Sequence, residues 1–340
     1  MVTGQRSGLF IAVALHSSVL GSALGGARLW TYPHWSDALG DALRLSAAMT
    51  LKNAAAGLDA GGGKSVICLP PGTPLDAEQR RAAFLDLGDA VELMAGLYRT
   101  AEDVGSTTDD MLTVSERTAH VVGLPSTVGG SGEPAGPTSL GVYASLRAVL
   151  DRVAGSSDAT GRHIVISGLG QVGGRLASRL AEDGAQLTVT DINPSRREFA
   201  DSIGATWVEP GREHLIAADV FVPAGIGGIL TDDVIDALNV KAVCGPANNP
   251  LADHSGAQRL ADRGILYAPD FVVNAGGVIY LDLEAKQIGS SDEIMARVAG
   301  IGDTVGGILD DASARGVTPL QAAEELAASR LRAGAGAGVR

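Results

Sequence analysis

Two lysines, Lys52 and Lys64, stand twelve residues apart in the run Met49-Thr-Leu-Lys52-Asn-Ala-Ala-Ala-Gly-Leu-Asp-Ala-Gly61-Gly-Gly-Lys64. Only Lys241 and Lys286 join them among 26 cationic side chains, the rest being arginine. Arginine keeps its proton near neutrality, whereas a desolvated lysine can release one and act as a base. Asp103 follows the extended stretch Tyr98 to Glu102, where the end of a strand presents ligand-facing groups in an α/β sheet. A carboxylate beside such a lysine makes an acid/base pair with separate roles. Taken singly, Lys52 reads equally as a solvated helix-face charge, Lys64 as a loop cation and Asp103 as a turn or cap residue.

A second cluster points to a nucleotide. Gly168-Leu-Gly170-Gln-Val-Gly173 follows the apolar run Ile164-Val-Ile-Ser and opens a helix, and Asp191 lies eighteen residues beyond Gly173 at the end of Leu187-Thr-Val-Thr. Such glycines permit a tight turn and let a pyrophosphate approach a helix N-terminus, and the aspartate accepts from the adenosine ribose hydroxyls. That carboxylate repels a 2′-phosphate, which favours NAD over NADP. The competing reading, glycines closing a turn and Asp191 capping the loop before Pro194, is the weaker because every element stands in order.

The elements that must position these residues form two runs of β/α alternation. In the first, a strand at Leu9 to Leu15 precedes a helix from Trp35 to Leu51, and a strand at Ser65 to Leu69 precedes a helix from Ala77 to Leu97. The extended piece Tyr98 to Glu102 and a helix from Thr107 follow. The Gly/Ser/Pro-rich segment Gly123 to Pro137 marks the boundary, and a helix from Thr138 to Val153 leads on. The second run has strands at His163 to Ser167 and Gln186 to Thr190, helices from Val172 and Pro194, and short strands near Trp207, Val220 and Val243. This spacing predicts a doubly wound parallel sheet. Helices from Ser291 to Arg315 and Thr318 to Arg332 close the chain, with Thr318 as N-cap and Pro319 at the first helical position, before a frayed tail at Gly334 to Arg340. The expected domains are 1–123 for the substrate and 124–316 for the nucleotide, with helix 318–332 packing back on the first.

Composition narrows the class. With 340 residues, 45% of them hydrophobic, the chain has enough apolar material for two cores. A net charge of −13 without any basic block argues against nucleic acid. Cys68 and Cys244 sit in apolar runs and read as buried thiols in a reducing compartment. The apolar start Gly8 to Leu15 is too short for a membrane span, so a cytoplasmic protein with no membrane partner is expected. No metal site is expected.

The runs Ala23-Leu-Gly-Gly-Ala-Arg-Leu-Trp30, Lys52 through Lys64, Ala101-Glu-Asp-Val-Gly-Ser-Thr, Cys244-Gly-Pro-Ala-Asn248-Asn249-Pro-Leu and Tyr267-Ala-Pro-Asp-Phe-Val-Val-Asn274-Ala-Gly-Gly-Val-Ile, with the glycine fingerprint, resemble the leucine/valine/phenylalanine dehydrogenase branch of the glutamate dehydrogenase superfamily. The resemblance runs in order from about residue 8 to 332. It implies reversible NAD-dependent oxidative deamination of an L-amino acid to a 2-oxo acid and ammonia, in a cleft between two domains that closes by hinge motion around Gly123 to Pro137. It also implies a homo-oligomer, from dimer to octamer, for which an edge strand near Gly8 to Leu15 is available.

By that resemblance Lys52 pairs with the substrate carboxylate, Lys64 activates water and Asp103 carries protons to and from the substrate nitrogen. Gly25, Gly26 and Asn249 contact substrate. Thr138, Asn248 and Ala224 join Gly168, Gly170, Gly173 and Asp191 around the cofactor. Leu24, Ala101, Val278 and Leu281 line an apolar side-chain pocket suited to valine or leucine, although each reads as core when taken alone. Tyr280, where a small polar residue is more usual, motivates an alternative: the same chemistry on an aromatic or specialised amino acid. A non-catalytic nucleotide-binding protein is the alternative of another class.

Overall fold

A computed structural model describes residues 1–130 and 132–337. In chain order the elements are β1 (Val2–Thr3), β2 (Phe10–Ser17), β3 (Ala23–Thr31), α1 (Trp35–Ala55), β4 (Gly61–Leu69), α2 (Ala77–Glu92), β5 (Tyr98–Glu102) and α3 (Thr108–Ser115). Then come α4 (Ala135–Ala154), β6 (His163–Ser167), α5 (Gln171–Glu182), β7 (Gln186–Thr190), α6 (Arg196–Ser202), β8 (Thr206–Trp207) and β9 (Ala218–Pro223). The last are α7 (Asp232–Ala237), β10 (Val240–Val243), α8 (Gly256–Asp262), β11 (Leu266–Tyr267), α9 (Asp270–Val273), α10 (Gly276–Ala285), α11 (Ser291–Ala299), α12 (Ile301–Arg315) and α13 (Pro319–Ala337).

The chain forms two compact units, one of residues 1–134, 278–290 and 326–340, the other of 135–277 and 291–325. The sequence reading drew its boundary at residue 123, whereas the chain changes unit after Pro134. Helices α10 and α13 each contribute residues to both units.

The first unit holds a mixed five-stranded sheet in the order β1-β2-β4-β3-β5, with β3 parallel to both β4 and β5 and β2 antiparallel to β4. Strand β3 is absent from the sequence reading. It lies between β4 and β5, and its glycines and Arg28 disguise the alternation that betrays most strands. One face packs Ala23, Ala27, Leu29 and Ile67 against Phe84, Leu87, Val91, Met111 and Val114 of α2 and α3. A smaller cluster joins Ala12, Ala14, Val66 and Cys68 to Ala38 and Ala42 of α1. Helix α2 ends at Glu92 rather than Leu97, because Ala95 and Gly96 take left-handed φ of 48° and 82°.

The second unit is a six-stranded, wholly parallel sheet in the order β11-β10-β9-β6-β7-β8. This is the doubly wound arrangement with its switch point between β6 and β9. Strands β6 and β7 coincide with the predicted spans because each is a short run rich in β-branched residues and buried on both faces. The expected single helix Ser291 to Arg315 is two, α11 and α12, interrupted at Gly300. Thr318 Oγ1 accepts from Gln321 N at 3.2 Å, and the helix it caps extends to Ala337 where a frayed tail was expected from Gly334; residues 338–340 lie outside the described residues. Cys68 and Cys244 are buried free thiols, and burial pushes Cys244 up to about 12.

Candidate active site

In the first unit the three glycines before Lys64 are not a loop but the start of strand β4. Each is required by close packing. A Cβ on Gly62 would lie 2.2 Å from Thr50 N of α1, and one on Gly63 would lie 2.5 Å from the Tyr98 ring. The glycines thus let α1 press onto β4 and carry Lys64 into the interior. Asn53 fastens the same helix end, its buried Nδ2 donating to Leu24 O at 3.2 Å and Gly61 O at 2.6 Å. The β3–β4 ladder pairs Ala23–Leu24 and Ala27–Thr31 with their partners but skips Gly25 and Gly26, the residues level with Gly63 and Lys64.

Lys64 is buried, and its Nζ lies 3.0 Å from Oδ2 of Asp103. Burial drives its pKa below the ordinary lysine value; Asp103 opposes the shift and the Arg28 guanidinium adds to it. Burial alone would raise the Asp103 carboxyl, but Lys64 and Arg28 more than offset this, so it sits below its ordinary value. Asp103 is held in place by Ser106, whose Oγ accepts the Asp103 N–H at 2.9 Å and donates to Ala27 O at 2.8 Å. On the far side of the sheet Tyr98 donates to Gly25 O at 3.0 Å, and burial pushes its phenol up to about 12.

Arg28, quoted in the sequence but given no role there, reaches the same Asp103 oxygen through Nε at 3.1 Å and Asp41 of α1 through Nη1 at 2.9 Å. Asp41 and Tyr32, 13 and 4 residues on, carry no local motif; only the turn from β3 into α1 brings them to Arg28. Lys52 lies in the last turn of α1, partly buried, where a cation complements the helix C-terminus. Leu24, Ala101 and Leu281 are buried and Val278 is half-buried; Leu281 Cδ2 would lie 3.4 Å from a Cβ at Gly123.

In the second unit the residues expected to bind a dinucleotide gather at the carboxyl edge of the sheet. Gly168 follows β6 with φ +115°, and a Cβ there would meet Gly225 N at 2.7 Å. A Cβ at Gly173 would lie 2.1 Å from Gly168 O and 3.1 Å from Ala224 Cβ, so this glycine serves close packing of helix on strand. Gly170, the N-cap of α5, faces open space instead, with no atom within 4 Å of its Cβ position. Asp191 Oδ2 accepts from Leu169 N at 2.6 Å and Oδ1 from Asn193 N at 2.8 Å. The carboxylate therefore ties the glycine turn to its own loop.

After β10, Asn248 Oδ1 accepts from the buried Asn274 Nδ2 at 3.0 Å. Asn249 adopts φ +49° with its N–H on Asp270 Oδ2 at 2.8 Å. Thr138 stands near the start of α4, where a Cβ on Gly276 would lie 3.0 Å from its Cα. The sequence-predicted residues thus fall into two groups: Lys52, Lys64, Asp103 and the apolar set in the first unit, the fingerprint, Asp191, Asn248, Asn249 and Thr138 in the second.

A buried lysine–aspartate pair in one α/β unit and a glycine fingerprint on a doubly wound sheet in the other define a dinucleotide-dependent dehydrogenase. Residues 6–120 match the Glu/Leu/Phe/Val dehydrogenase dimerisation domain, and residues 187–334 match the glutamate/leucine/phenylalanine/valine dehydrogenase domain. The chain is similar to the leucine dehydrogenase of Thermoactinomyces intermedius, at 38% identity over 97% of this chain and 89% of that one. It is equally similar to the phenylalanine dehydrogenase of Bacillus thermotolerans, at 38% identity over 96% and 86%. The solved structure of L-tryptophan dehydrogenase from Nostoc punctiforme superposes with a TM-score of 0.83 at 35% identity, covering 98% of this chain and 95% of that one. The chain belongs to the Glu/Leu/Phe/Val dehydrogenase family, and is an NAD(P)-dependent amino-acid dehydrogenase.

Proposed function

We propose that this enzyme catalyses the reversible NAD-dependent oxidative deamination of a branched aliphatic L-amino acid, leucine or valine, to the 2-oxo acid and ammonia. The observation that carries the chemistry is the buried Lys64–Asp103 pair at 3.0 Å. Lys64 takes a proton from the water that attacks the substrate imine carbon, and burial makes its amine available for this. Asp103 moves protons to and from the substrate nitrogen. Lys52 binds the substrate α-carboxylate, Gly25 and Gly26 let the substrate lie close to the strand, and Asn249 orients it.

The second unit holds the dinucleotide, which when bound supplies the hydride acceptor. The residues present fit it: the open space at Gly170 and the crowded Gly168 and Gly173 make a phosphate cradle at the N-terminus of α5. Asp191 receives the ribose hydroxyls and disfavours a 2′-phosphate, and Ala224, Asn248 and Thr138 stand toward the nicotinamide end. The match to a dimerisation domain supports a homo-oligomer. Among the described residues no helix is long and apolar enough to cross a membrane. A cytoplasmic location is part of the proposal.

Leu24, Ala101, Val278 and Leu281, all without charge, support an aliphatic substrate. The tryptophan and phenylalanine dehydrogenase relatives favour a second reading, an aromatic substrate. Lys64→Ala tests the chemistry: turnover should vanish while NADH binding persists, and an active variant would remove Lys64 from its role.

A further inference from the structure

Both charge-assisted bonds to the Asp103 carboxylate fall on one oxygen. Oδ2 accepts from Lys64 Nζ at 3.0 Å and from Arg28 Nε at 3.1 Å, while Oδ1 takes no hydrogen bond among the described residues. Arg28 is itself braced: its Nη1 donates to Asp41 Oδ2 at 2.9 Å, the Tyr32 hydroxyl donates to that same oxygen at 2.6 Å, and Arg44 Nη2 holds Oδ1 of Asp41 at 2.7 Å. A row of alternating charge therefore runs from Lys64 through Asp103, Arg28 and Asp41 to Arg44.

The geometry points to Arg28 as a positioning residue of the catalytic pair, which occupies Oδ2 of Asp103 jointly with Lys64 and so reserves Oδ1 for the substrate nitrogen. This rests on the reading of Lys64 and Asp103 as base and proton carrier. A carboxylate held by one flexible ammonium can swing. A second donor from a neighbouring strand, with its planar fork pinned at the other end by Asp41, fixes both its place and its rotation.

Arg28 has an electrostatic effect as well. Its charge persists at every working pH, so it opposes the Lys64 ammonium and loosens the hold of Asp103 on that proton. The other ionisable groups on the surrounding elements are Asp37, Asp41, Arg44 and Lys52 of α1, Tyr32 after β3, Cys68 of β4, Tyr98, Arg99 and Glu102 of β5 and His16 of β2. Among these, Asp41 acts on Lys64 in the opposite sense to Arg28.

The test is the pH dependence of amino-acid oxidation by the full-length enzyme carrying Arg28→Gln, Arg28→Lys, Asp41→Asn or Tyr32→Phe, beside Lys64→Ala and Asp103→Asn. For Arg28→Gln, kcat should fall roughly 10- to 100-fold with KM for NAD changed by less than about threefold. The pH at half-maximal kcat/KM should rise by about one unit, because a cation near Lys64 is gone. Arg28→Lys keeps the charge but cannot span both aspartates, so its pH midpoint should stay near wild type while kcat still falls.

Wild-type kcat and an unmoved midpoint in Arg28→Gln, with kcat lost in Lys64→Ala and lowered at least about 10²-fold in Asp103→Asn, would overturn the role of Arg28 and leave the catalytic pair standing. Lower melting temperature with an unmoved midpoint would also overturn it, as the mark of a merely structural arginine. Wild-type kcat in Lys64→Ala or Asp103→Asn would sink the underlying reading instead. If Arg28→Gln fails to fold, Asp41→Asn and Tyr32→Phe decide: lowered kcat in both supports the brace, and unchanged kcat in both overturns it.

Discussion

Gly26 stands where any side chain would strike Asp103: a Cβ at that position lies 2.6 Å from the Asp103 Cβ and 2.8 Å from Glu102 O. The glycine on β3 thus sets how closely the strand bearing Arg28 can approach the carboxylate of the neighbouring strand. Gly26→Ala must push the two strands apart or turn Asp103 away from Lys64. We expect a loss of about 1–3 kcal/mol in stability from the overpacking. The loss in kcat should exceed tenfold, on the scale of about 10²-fold for a catalytic group displaced by about 1 Å. Thermal melting and steady-state kinetics on the same preparation check both.

Asp103→Asn should move the pH profile in the direction opposite to loss of Arg28. Asp103 favours the charged form of Lys64, so its neutralisation lowers the Lys64 pKa further below the ordinary lysine value. The residual kcat/KM of the variant should therefore reach its plateau at lower pH than wild type, while its height falls by roughly 10²- to 10⁴-fold. A midpoint displaced to higher pH contradicts the electrostatic account.

The folded pKa of Asp103 is depressed, so its pairing stabilises the enzyme above the unfolded carboxyl pKa of about 3.9. That contribution is lost as the pH falls through the lower folded value. In acid unfolding, Asp103→Asn should show a smaller drop in stability than wild type over this window, as followed by denaturant midpoints at successive pH values.

Asn53→Ala should destabilise the enzyme more than an ordinary helix substitution. It removes both bonds that tie α1 to Leu24 O and Gly61 O and leaves those buried carbonyls short of a donor. A cost of about 1–3 kcal/mol follows for each group so stranded. The shift in denaturant midpoint, with kcat measured alongside, reads it.

Much of this is legible in the amino-acid sequence alone. The second unit announced itself because β6, β7 and the turn after Ser167 are continuous local signals, an apolar strand leading into glycines at a helix start. The first unit was harder. Gly25 and Gly26 interrupt β3 and hid it, and Gly61 to Gly63 read as a loop until α1 supplied the reason for glycine inside a strand. Lys64 and Asp103 stand out in the sequence, whereas Arg28 and Asp41 do not, since their value comes from pairing across strand and helix rather than from any local pattern.

The central claim is best tested by following NADH and NADPH oxidation in the presence of ammonium and a panel of 2-oxo acids, from 4-methyl-2-oxopentanoate and 3-methyl-2-oxobutanoate to phenylpyruvate and 2-oxoglutarate. The account predicts turnover with NADH, highest for the two branched aliphatic acids and weak or absent with NADPH or 2-oxoglutarate, as the proposed roles of Asp191 at the ribose and of Leu24, Ala101, Val278 and Leu281 around the substrate side chain require. A preference for phenylpyruvate would move the substrate to the aromatic reading. No turnover with any branched or straight aliphatic oxo acid would contradict the account.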